Sequence, residues 1–284
     1  MPDVPDDPIV SVDWLAARLG APDVRIVDAT WFMPNDPRNA RALYLEGRIP
    51  GANFFDIDEI SDLSDPLPHM VPPPEKFASR VMKMGIGDGT RVVVYDALGL
   101  FSAARVWWLF RLMGKEDVVV LDGGLPAWVA AGHAVDTGPP LKPQERHFTP
   151  RRRADLIRTL PEMRAVLDRG GQIADARPEG RFTGAVPEPR PGLRPGHMPG
   201  AVNLPFGHLL TSDGQMKNKD ELRSVLTSAG LDLARPIVCT CGSGISAAVL
   251  ALGLAHLGLW NAAVYDGSWA EWGSRDDTPI VTGS

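Results

Sequence analysis

The chain has little cysteine, and this shortage excludes one class of protein. Only Cys239 and Cys241 occur among its 284 residues, so it cannot carry the disulfide framework of a small secreted domain. The two cysteines lie two positions apart on a predicted strand, so their side chains face opposite ways and are badly placed to bond to each other. The loop beside them offers no further thiol and no histidine, so a structural metal site is not expected.

Long apolar runs and a basic surplus are missing as well. No apolar run approaches the ~18 residues of a membrane span. The net charge is −6, and the basic run 151–153 is isolated, which is typical of a solvated linker. The acidic stretch 1–8 has neither the basic nor the apolar region of a signal peptide. With the free thiols, these features predict a cytoplasmic protein with neither a membrane nor a nucleic-acid partner.

The composition is otherwise that of a globular protein, and residues 236–258 are its most informative stretch. Ile237 to Cys239 are apolar and favour a buried strand. Gly242 and Gly244 then allow a tight loop. A helical run from Ala247 ends at Gly258, which is a typical C-terminal stop. The pattern predicts a strand, a glycine loop and a helix in succession.

Cys241 lies at the point where this strand ends. Backbone N–H groups of the loop and of the helix start favour a negative charge, and such surroundings lower the pKa of a cysteine thiol. The alternative is a buried structural cysteine before an ordinary turn. Glycines on both sides of Ser243 argue against that alternative, because a structural cysteine needs no such loop. We therefore interpret Cys241 as a nucleophile.

Strand and helix patterns alternate along the whole chain. This alternation predicts an α/β fold with mostly parallel sheets covered by helices on both faces. Tryptophans at helical spacing are expected in the cores: Trp107, Trp108, Trp128, Trp269 and Trp272. The predicted helices cover 11–19, 75–84, 102–113, 159–169 and 247–257, and the predicted strands cover 24–29, 91–96, 117–121, 172–176, 237–239 and 261–265.

The second half of the chain repeats the landmarks of the first about 145 residues later. The turn 46–53 matches 195–203, and the motif 122–128 matches 266–272. Each copy is long enough to be a domain. We predict an N-terminal domain at 1–138, a proline-rich linker at 139–156 and a C-terminal domain at 157–284.

The two copies differ at the nucleophile. Aligning Val92 with Ile237 places Asp96 opposite Cys241. The first loop therefore has no thiol and cannot carry out cysteine chemistry. We expect the N-terminal domain to be non-catalytic and the C-terminal domain to be catalytic.

The loop 241–246, Cys-Gly-Ser-Gly-Ile-Ser, resembles the active-site loop of the rhodanese superfamily and in particular that of its 3-mercaptopyruvate sulfurtransferases. The family pattern is Cys-Gly-Ser-Gly-Val-Thr, so Ile245 and Ser246 are conservative differences. The motifs Gly-His-Met-Pro-Gly-Ala and Asp-Gly-Ser-Trp extend the resemblance over nearly the whole chain. It implies two tandem rhodanese-like domains, each a small, mostly parallel sheet flanked by helices.

The neighbours of Cys241 should select the sulfur donor. Rhodaneses that use thiosulfate carry basic side chains in this loop, whereas Gly242 and Ser243 are uncharged, which favours 3-mercaptopyruvate over a dianion. A guanidinium binds a carboxylate at two points, and Arg181 and Arg190 lie on a nearby Gly/Pro-rich loop. The resemblance places the two substrate arginines there, although Arg177 and Arg194 lie close in sequence. The remaining substrate-binding candidates are the loop residues Gly242, Gly244, Ile245 and Ser246.

Ser243 is a third candidate for the chemistry. In the family that it resembles, this serine is proposed to be coupled to a histidine and an aspartate of the first domain, which here match His69 and Asp58. Asp58 would orient His69, and His69 would tune Ser243. Asp58 and His69 could instead be solvated groups of an acidic loop. His197 lies in a turn common to both copies and is expected to be structural.

The resemblance implies ping-pong transfer of sulfur through a Cys241 persulfide, with no metal or organic cofactor. The donor would be 3-mercaptopyruvate, and the acceptor a small thiol, a thioredoxin-like protein or cyanide. A thiosulfate:cyanide sulfurtransferase and a non-enzymatic persulfide carrier stay open as alternatives. A cysteine phosphatase is disfavoured, because the position where such enzymes need an arginine holds Ala247.

Overall fold

Short runs of buried β-branched residues form two parallel sheets in the computed structural model, which describes residues 7–283. Most of the acidic N-terminal stretch, at 1–6, lies outside the described residues. Contacts divide the chain into two compact units. The first unit contains 7–62, Pro72–Arg153 and Ser212–Met216, and the second contains Leu63–Val71, Ala154–Thr211 and 217–283.

The first unit is a five-stranded sheet with helices between its strands. Its strand order is β1-β5-β4-β2-β3, and every pairing is parallel. The strands are β1 Ile9–Val10, β2 Val24–Asp28, β3 Asn53–Phe54, β4 Arg91–Tyr95 and β5 Val118–Leu121. The helices are α1 Val12–Ala16, α2 Ala40–Glu46, α3 Ile57–Ile60, α4 Pro74–Lys83, α5 Ala103–Leu112 and α6 Gly124–Ala130.

The second unit repeats this plan. Its strand order is β6-β10-β9-β7-β8, again all parallel, which is the first order with each strand replaced by its counterpart. The strands are β6 Ile157–Arg158, β7 Gln172–Asp175, β8 Val202–Asn203, β9 Ile237–Thr240 and β10 Ala263–Tyr265. The α-helices are α7 Leu160–Asp168, α8 Glu179–Phe182, α9 Lys219–Ser228, α10 Ala247–His256 and α11 Ser268–Trp272, and 3-10 turns cover Ala154–Leu156 and Phe206–Leu209.

The core of each unit lies between its sheet and its helices. In the second unit, Val238 of β9, Met163 of α7 and Trp269 of α11 belong to one buried cluster. All five tryptophans expected in the cores are buried. Helix α10 is buried along its whole length except at His256, which explains why it is apolar all round instead of amphipathic.

The sequence predicted five of the helices and six of the strands, with ends that mostly shift by one or two residues: α1, α4, α5, α7 and α10, and β2, β4, β5, β7, β9 and β10. The first helix is the exception, because it ends at Ala16 and not at Leu19. The prediction missed the other six helices, of which five have only four to seven residues. The longest of them is α9, although Asn218 and Glu221 form a capping box that marks its start. Within residues 7–283, no helix combines the length and the apolar character that crossing a bilayer requires.

Each compact unit contains more than one stretch of chain. The predicted domain ranges are continuous, and their boundaries stay a prediction. The predicted linker packs on the first unit up to Arg153, since Phe148 is buried with its ring 5.8 Å from that of Phe77. Residues 212–216 join the first unit, where the Met216 N–H donates to the Asp122 carboxylate at 2.8 Å. Residues 63–71 join the second unit, which brings one predicted site residue, His69, into it.

Candidate active site

Cys241 follows β9 directly and lies at the carboxyl edge of the second sheet. Strand β9 pairs with β7 through Asp175 and Thr240, so the chain leaves the sheet at the edge where open α/β sheets bind ligands. Gly244 adopts φ +79°, a left-handed conformation that glycine reaches without strain. Helix α10 then begins at Ala247. The predicted strand, loop and helix are therefore confirmed.

Helix α11 holds the first two residues of this loop. The Cys241 carbonyl accepts a hydrogen bond from the Trp269 N–H at 2.9 Å, and the Gly242 carbonyl accepts one from the Ala270 N–H at 2.9 Å. The Cys241 N–H donates to the Ser268 hydroxyl at 3.3 Å, and that hydroxyl donates to the Tyr265 carbonyl at 2.8 Å. The backbone of the candidate nucleophile is thus anchored by a neighbouring strand–helix junction.

Ser268 occupies a strained backbone conformation. Its φ is 49°, and it and His69 are the two non-glycine residues with positive φ in the described chain. A left-handed conformation costs an L-residue roughly 1–2 kcal/mol. The matching position in the first unit is Gly124, at φ 55°, which bears no such cost. The serine hydroxyl that reaches Cys241 is therefore present at the expense of backbone strain.

The two thiols are both buried but differ in their setting. Burial, with a smaller contribution from Cys241, raises the pKa of Cys239 to about 12, so this residue stays a neutral thiol at physiological pH. Cys241 is 2 % exposed and lies at the end of the sheet, beside Ser243.

The first unit shows how a loop of this kind surrounds a carboxyl group at the position of Cys241. Asp96, at the position aligned with Cys241, is fully buried. Its carboxylate accepts hydrogen bonds at 2.8 Å from the N–H groups of Leu98, Phe101 and Ala103. Burial raises the pKa of Asp96, and these N–H groups oppose that rise. Backbone donors of the first loop thus converge on the carboxyl oxygens at the strand end.

Arg181 lies over the loop beside Cys241. A Cβ atom added to Gly242 would stand 2.8 Å from Nη2 of Arg181, so glycine is what allows the guanidinium to come this close. The same Nη2 donates to the Glu188 carboxylate, and Nε donates to it at 3.2 Å. The structure therefore places the Arg181 guanidinium at the loop, where a carboxylate-binding residue is expected to lie. It also shows that Glu188 is an acidic partner of Arg181.

The other three arginines of this region differ in their surroundings. Arg177 is buried against Trp269 and pairs with Asp175 and Glu188. Burial lowers the pKa of Arg177, but the two carboxylates outweigh burial and leave the pKa raised. Arg194 donates to the carbonyl and hydroxyl of Thr278. Both are structural residues. Arg190 is half-buried on the same loop as Glu188, and its role in substrate binding stays a prediction.

His69 and Ser243 meet in the second unit. Nδ1 of His69 lies 3.0 Å from the Ser243 hydroxyl, although the two residues are 174 positions apart in sequence. His69 has φ 61° and is buried. Its segment is anchored by the Val71 N–H, which donates to the Asp266 carboxylate at 2.8 Å. Two members of the predicted relay are therefore in hydrogen-bond contact.

Asp58 belongs to the first unit. It lies in the first turn of α3, and both oxygens of its carboxylate accept from the Trp31 indole N–H at 3.1 Å. Its coupling to His69 stays a prediction. His197 stacks on Phe182 with ring centroids 3.6 Å apart, and its Nδ1 lies 2.9 Å from the Phe182 carbonyl. Those contacts fit the structural role expected of His197.

Sequence reasoning missed Glu188 and Ser268. Glu188 lies two residues before Arg190 in Pro-Glu-Pro-Arg, and a carboxylate beside candidate substrate arginines is a signal that could have identified it. Ser268 belongs to the repeated Asp-Gly-Ser-Trp motif, where the first copy has glycine. That difference between the copies is a second usable signal.

The fold and the site define a tandem α/β protein in which one of two equivalent loops carries a cysteine. The family model for the rhodanese-like domain matches twice, at residues 11–131 and 159–275. The chain is 41% identical to the 3-mercaptopyruvate sulfurtransferase of Escherichia coli K12 over 95% of this chain and 96% of that protein. It is 41% identical to the thiosulfate sulfurtransferase of Bos taurus over 94% and 92% of the two chains.

A solved structure agrees with these sequence matches. The crystal structure of SseA from Escherichia coli, described as a 3-mercaptopyruvate sulfotransferase with the rhodanese fold, superposes with a TM-score of 0.85 and 38% identity. The match covers 93% of this chain and 99% of that one. This protein belongs to the rhodanese family, with two rhodanese domains in tandem.

Proposed function

We propose that this protein is a sulfurtransferase that takes sulfur from 3-mercaptopyruvate and passes it to a thiol acceptor or cyanide. The observation that carries the proposal is the position of Arg181, whose guanidinium lies over Gly242, the residue next to Cys241. 3-Mercaptopyruvate bound there through its carboxylate would present its thiol sulfur to the loop that carries Cys241.

In the first half-reaction, the ionised sulfur of Cys241 attacks the thiol sulfur of 3-mercaptopyruvate. A sulfur–sulfur bond forms, the carbon–sulfur bond breaks, and its electron pair leaves on pyruvate as the enolate. Ser243, in contact with His69, delivers the proton that converts the enolate to pyruvate. Arg181 and Arg190 hold the carboxylate and the ketone oxygen.

In the second half-reaction, the outer sulfur of the Cys241 persulfide passes to the acceptor and the thiolate returns. The convergence of N–H groups on Asp96 in the duplicate loop supports a cradle of this kind for the persulfide anion. A small thiol or a reduced thioredoxin-like protein is the proposed acceptor. The two free thiols fit a reducing, cytoplasmic setting, which we propose as its location.

Thiosulfate is the competing donor, because sequence identity alone does not distinguish between relatives named for the two donors. The uncharged loop favours the 2-oxo acid. Steady-state turnover with each donor, at matched cyanide, tests the choice, and a clear preference for thiosulfate would contradict it. Intact mass after exposure to 3-mercaptopyruvate tests the intermediate: one added sulfur is expected, and none in Cys241→Ser.

A further inference from the structure

A run of alternating charges leads from the interior of the second unit to the loop that carries Cys241. Asp175 and Glu188 both pair with Arg177, and Glu188 pairs also with Arg181. The side chains of Asp175, Arg177 and Glu188 are at most 2% exposed, whereas that of Arg181 is 17% exposed. Two carboxylates and two guanidinium groups make this run electrically neutral. Only its last member, Arg181, comes close to Gly242.

Glu188 occupies one edge of the Arg181 guanidinium. Within residues 7–283, both hydrogen bonds described for the Arg181 side chain go to Oε2 of Glu188, from Nε and Nη2. A guanidinium has five N–H donors in a rigid plane. The edge formed by Nη1 and Nη2 is therefore the one that a bound carboxylate meets. Arg181 keeps its directional bonding, but its charge is already balanced by a buried carboxylate.

This balance matters for a dianion more than for a monoanion. A balanced guanidinium binds a carboxylate mainly through geometry, and its net attraction for a second negative charge is small. The loop residues 242–246 carry no charge that would add to it, which leaves Arg190 as the one other cation proposed at the substrate. We propose that Glu188 is a specificity-determining residue, which makes the site select a singly charged 2-oxo acid over the thiosulfate dianion. The proposal rests on the sulfurtransferase function argued above and assigns its donor selectivity to one residue.

Two substitutions separate the charge of Glu188 from its position. Glu188→Gln keeps the length and an acceptor oxygen but removes the charge, and Arg177 retains Asp175 as its partner. Glu188→Asp keeps the charge but withdraws it from Arg181. Glu179→Gln is the matched control, because Glu179 is an exposed carboxylate on α8, the helix that carries Arg181.

The measured quantity is the ratio of kcat/KM for 3-mercaptopyruvate to that for thiosulfate. We expect Glu188→Gln to move this ratio toward thiosulfate by about 4- to 50-fold, the effect of one charge at roughly 7–10 Å in an effective dielectric of about 20–40. The shift should shrink at high salt. Glu188→Asp should lower both kcat/KM values and leave the ratio within about twofold. An unchanged ratio in Glu188→Gln, or an equal shift in Glu179→Gln, would overturn the proposal.

Binding to Cys241→Ser, measured by calorimetry with and without the added Glu188→Gln substitution, tests the same claim without turnover. Pyruvate should bind more tightly than thiosulfate, and tighter binding of thiosulfate would refute the proposed selectivity. If the unaltered enzyme turns over neither donor, the sulfurtransferase function fails, whereas a binding preference that does not move toward thiosulfate in Glu188→Gln would still overturn the role of Glu188.

Discussion

Replacement of Gly242 by alanine tests whether Arg181 acts at this loop. The new Cβ would stand 2.8 Å from Nη2 of Arg181, where ordinary contacts begin at 3.4 Å. The guanidinium must therefore retreat by about 0.6 Å, which misaligns its bonds to Glu188 and to a bound carboxylate. Gly242 does not have a positive φ, so alanine fits its backbone and the fold should be retained.

The size of the effect follows from the hydrogen bond that is disturbed. A hydrogen bond to a charged group contributes about 1.5–3 kcal/mol, so kcat/KM for 3-mercaptopyruvate should fall by about 10- to 150-fold. The loss should lie mainly in KM, since binding of the carboxylate is affected. Gly207→Ala is the matched control, because a Cβ at Gly207 meets no atom within 4 Å.

A double-mutant cycle decides the cause. In the Arg181→Ala background, Gly242→Ala should cost less than threefold in kcat/KM, since the displaced group is already gone. If the loss is as large there as in the unaltered protein, the methyl group acts on the loop or on Cys241 directly. The proposed placement of the substrate carboxylate at Arg181 would then be wrong.

Three further predictions concern the supports of the site. Ser268→Gly removes a left-handed backbone strain of roughly 1–2 kcal/mol and should maintain or raise the melting temperature. Its kcat should nevertheless fall, because the Cys241 N–H loses the hydroxyl that accepts its hydrogen bond. An unchanged kcat would argue against that role of Ser268. Ser243→Ala and His69→Gln should each lower kcat, and the double variant should be no worse than the poorer single one, whereas additive losses would show that the two residues act separately. Burial raises the pKa of Glu271 in the folded protein above its ordinary value of 4.5. The stabilisation linked to the protonated Glu271 is therefore fully present below pH 4.5, and it is lost as the pH rises through the folded-state pKa. Glu271→Gln still accepts from the Tyr265 hydroxyl and should flatten this loss in melting temperatures recorded from pH 4 to pH 8; a parallel curve for the two proteins would contradict the assignment.

Much of the architecture could be predicted because its signals are local. A strand such as β9 and a helix such as α10 depend on apolar runs, glycine stops and prolines within a few residues of one another. The duplication was visible because landmarks recur in the same order, and the two sheets indeed share one strand order. Cys241 could be identified as a candidate nucleophile because Gly242 and Gly244 follow it within three positions.

The partners of these residues were decided by tertiary structure alone. His69 reaches Ser243 across 174 positions because the segment 63–71 packs with the second unit, and no periodicity records such a contact. Folding places the Glu188 carboxylate against Arg181 and the Ser268 hydroxyl against the Cys241 N–H, and the sequence shows neither contact. Local patterns specify strands, turns and helices, whereas long-range packing determines which side chains surround the sulfur.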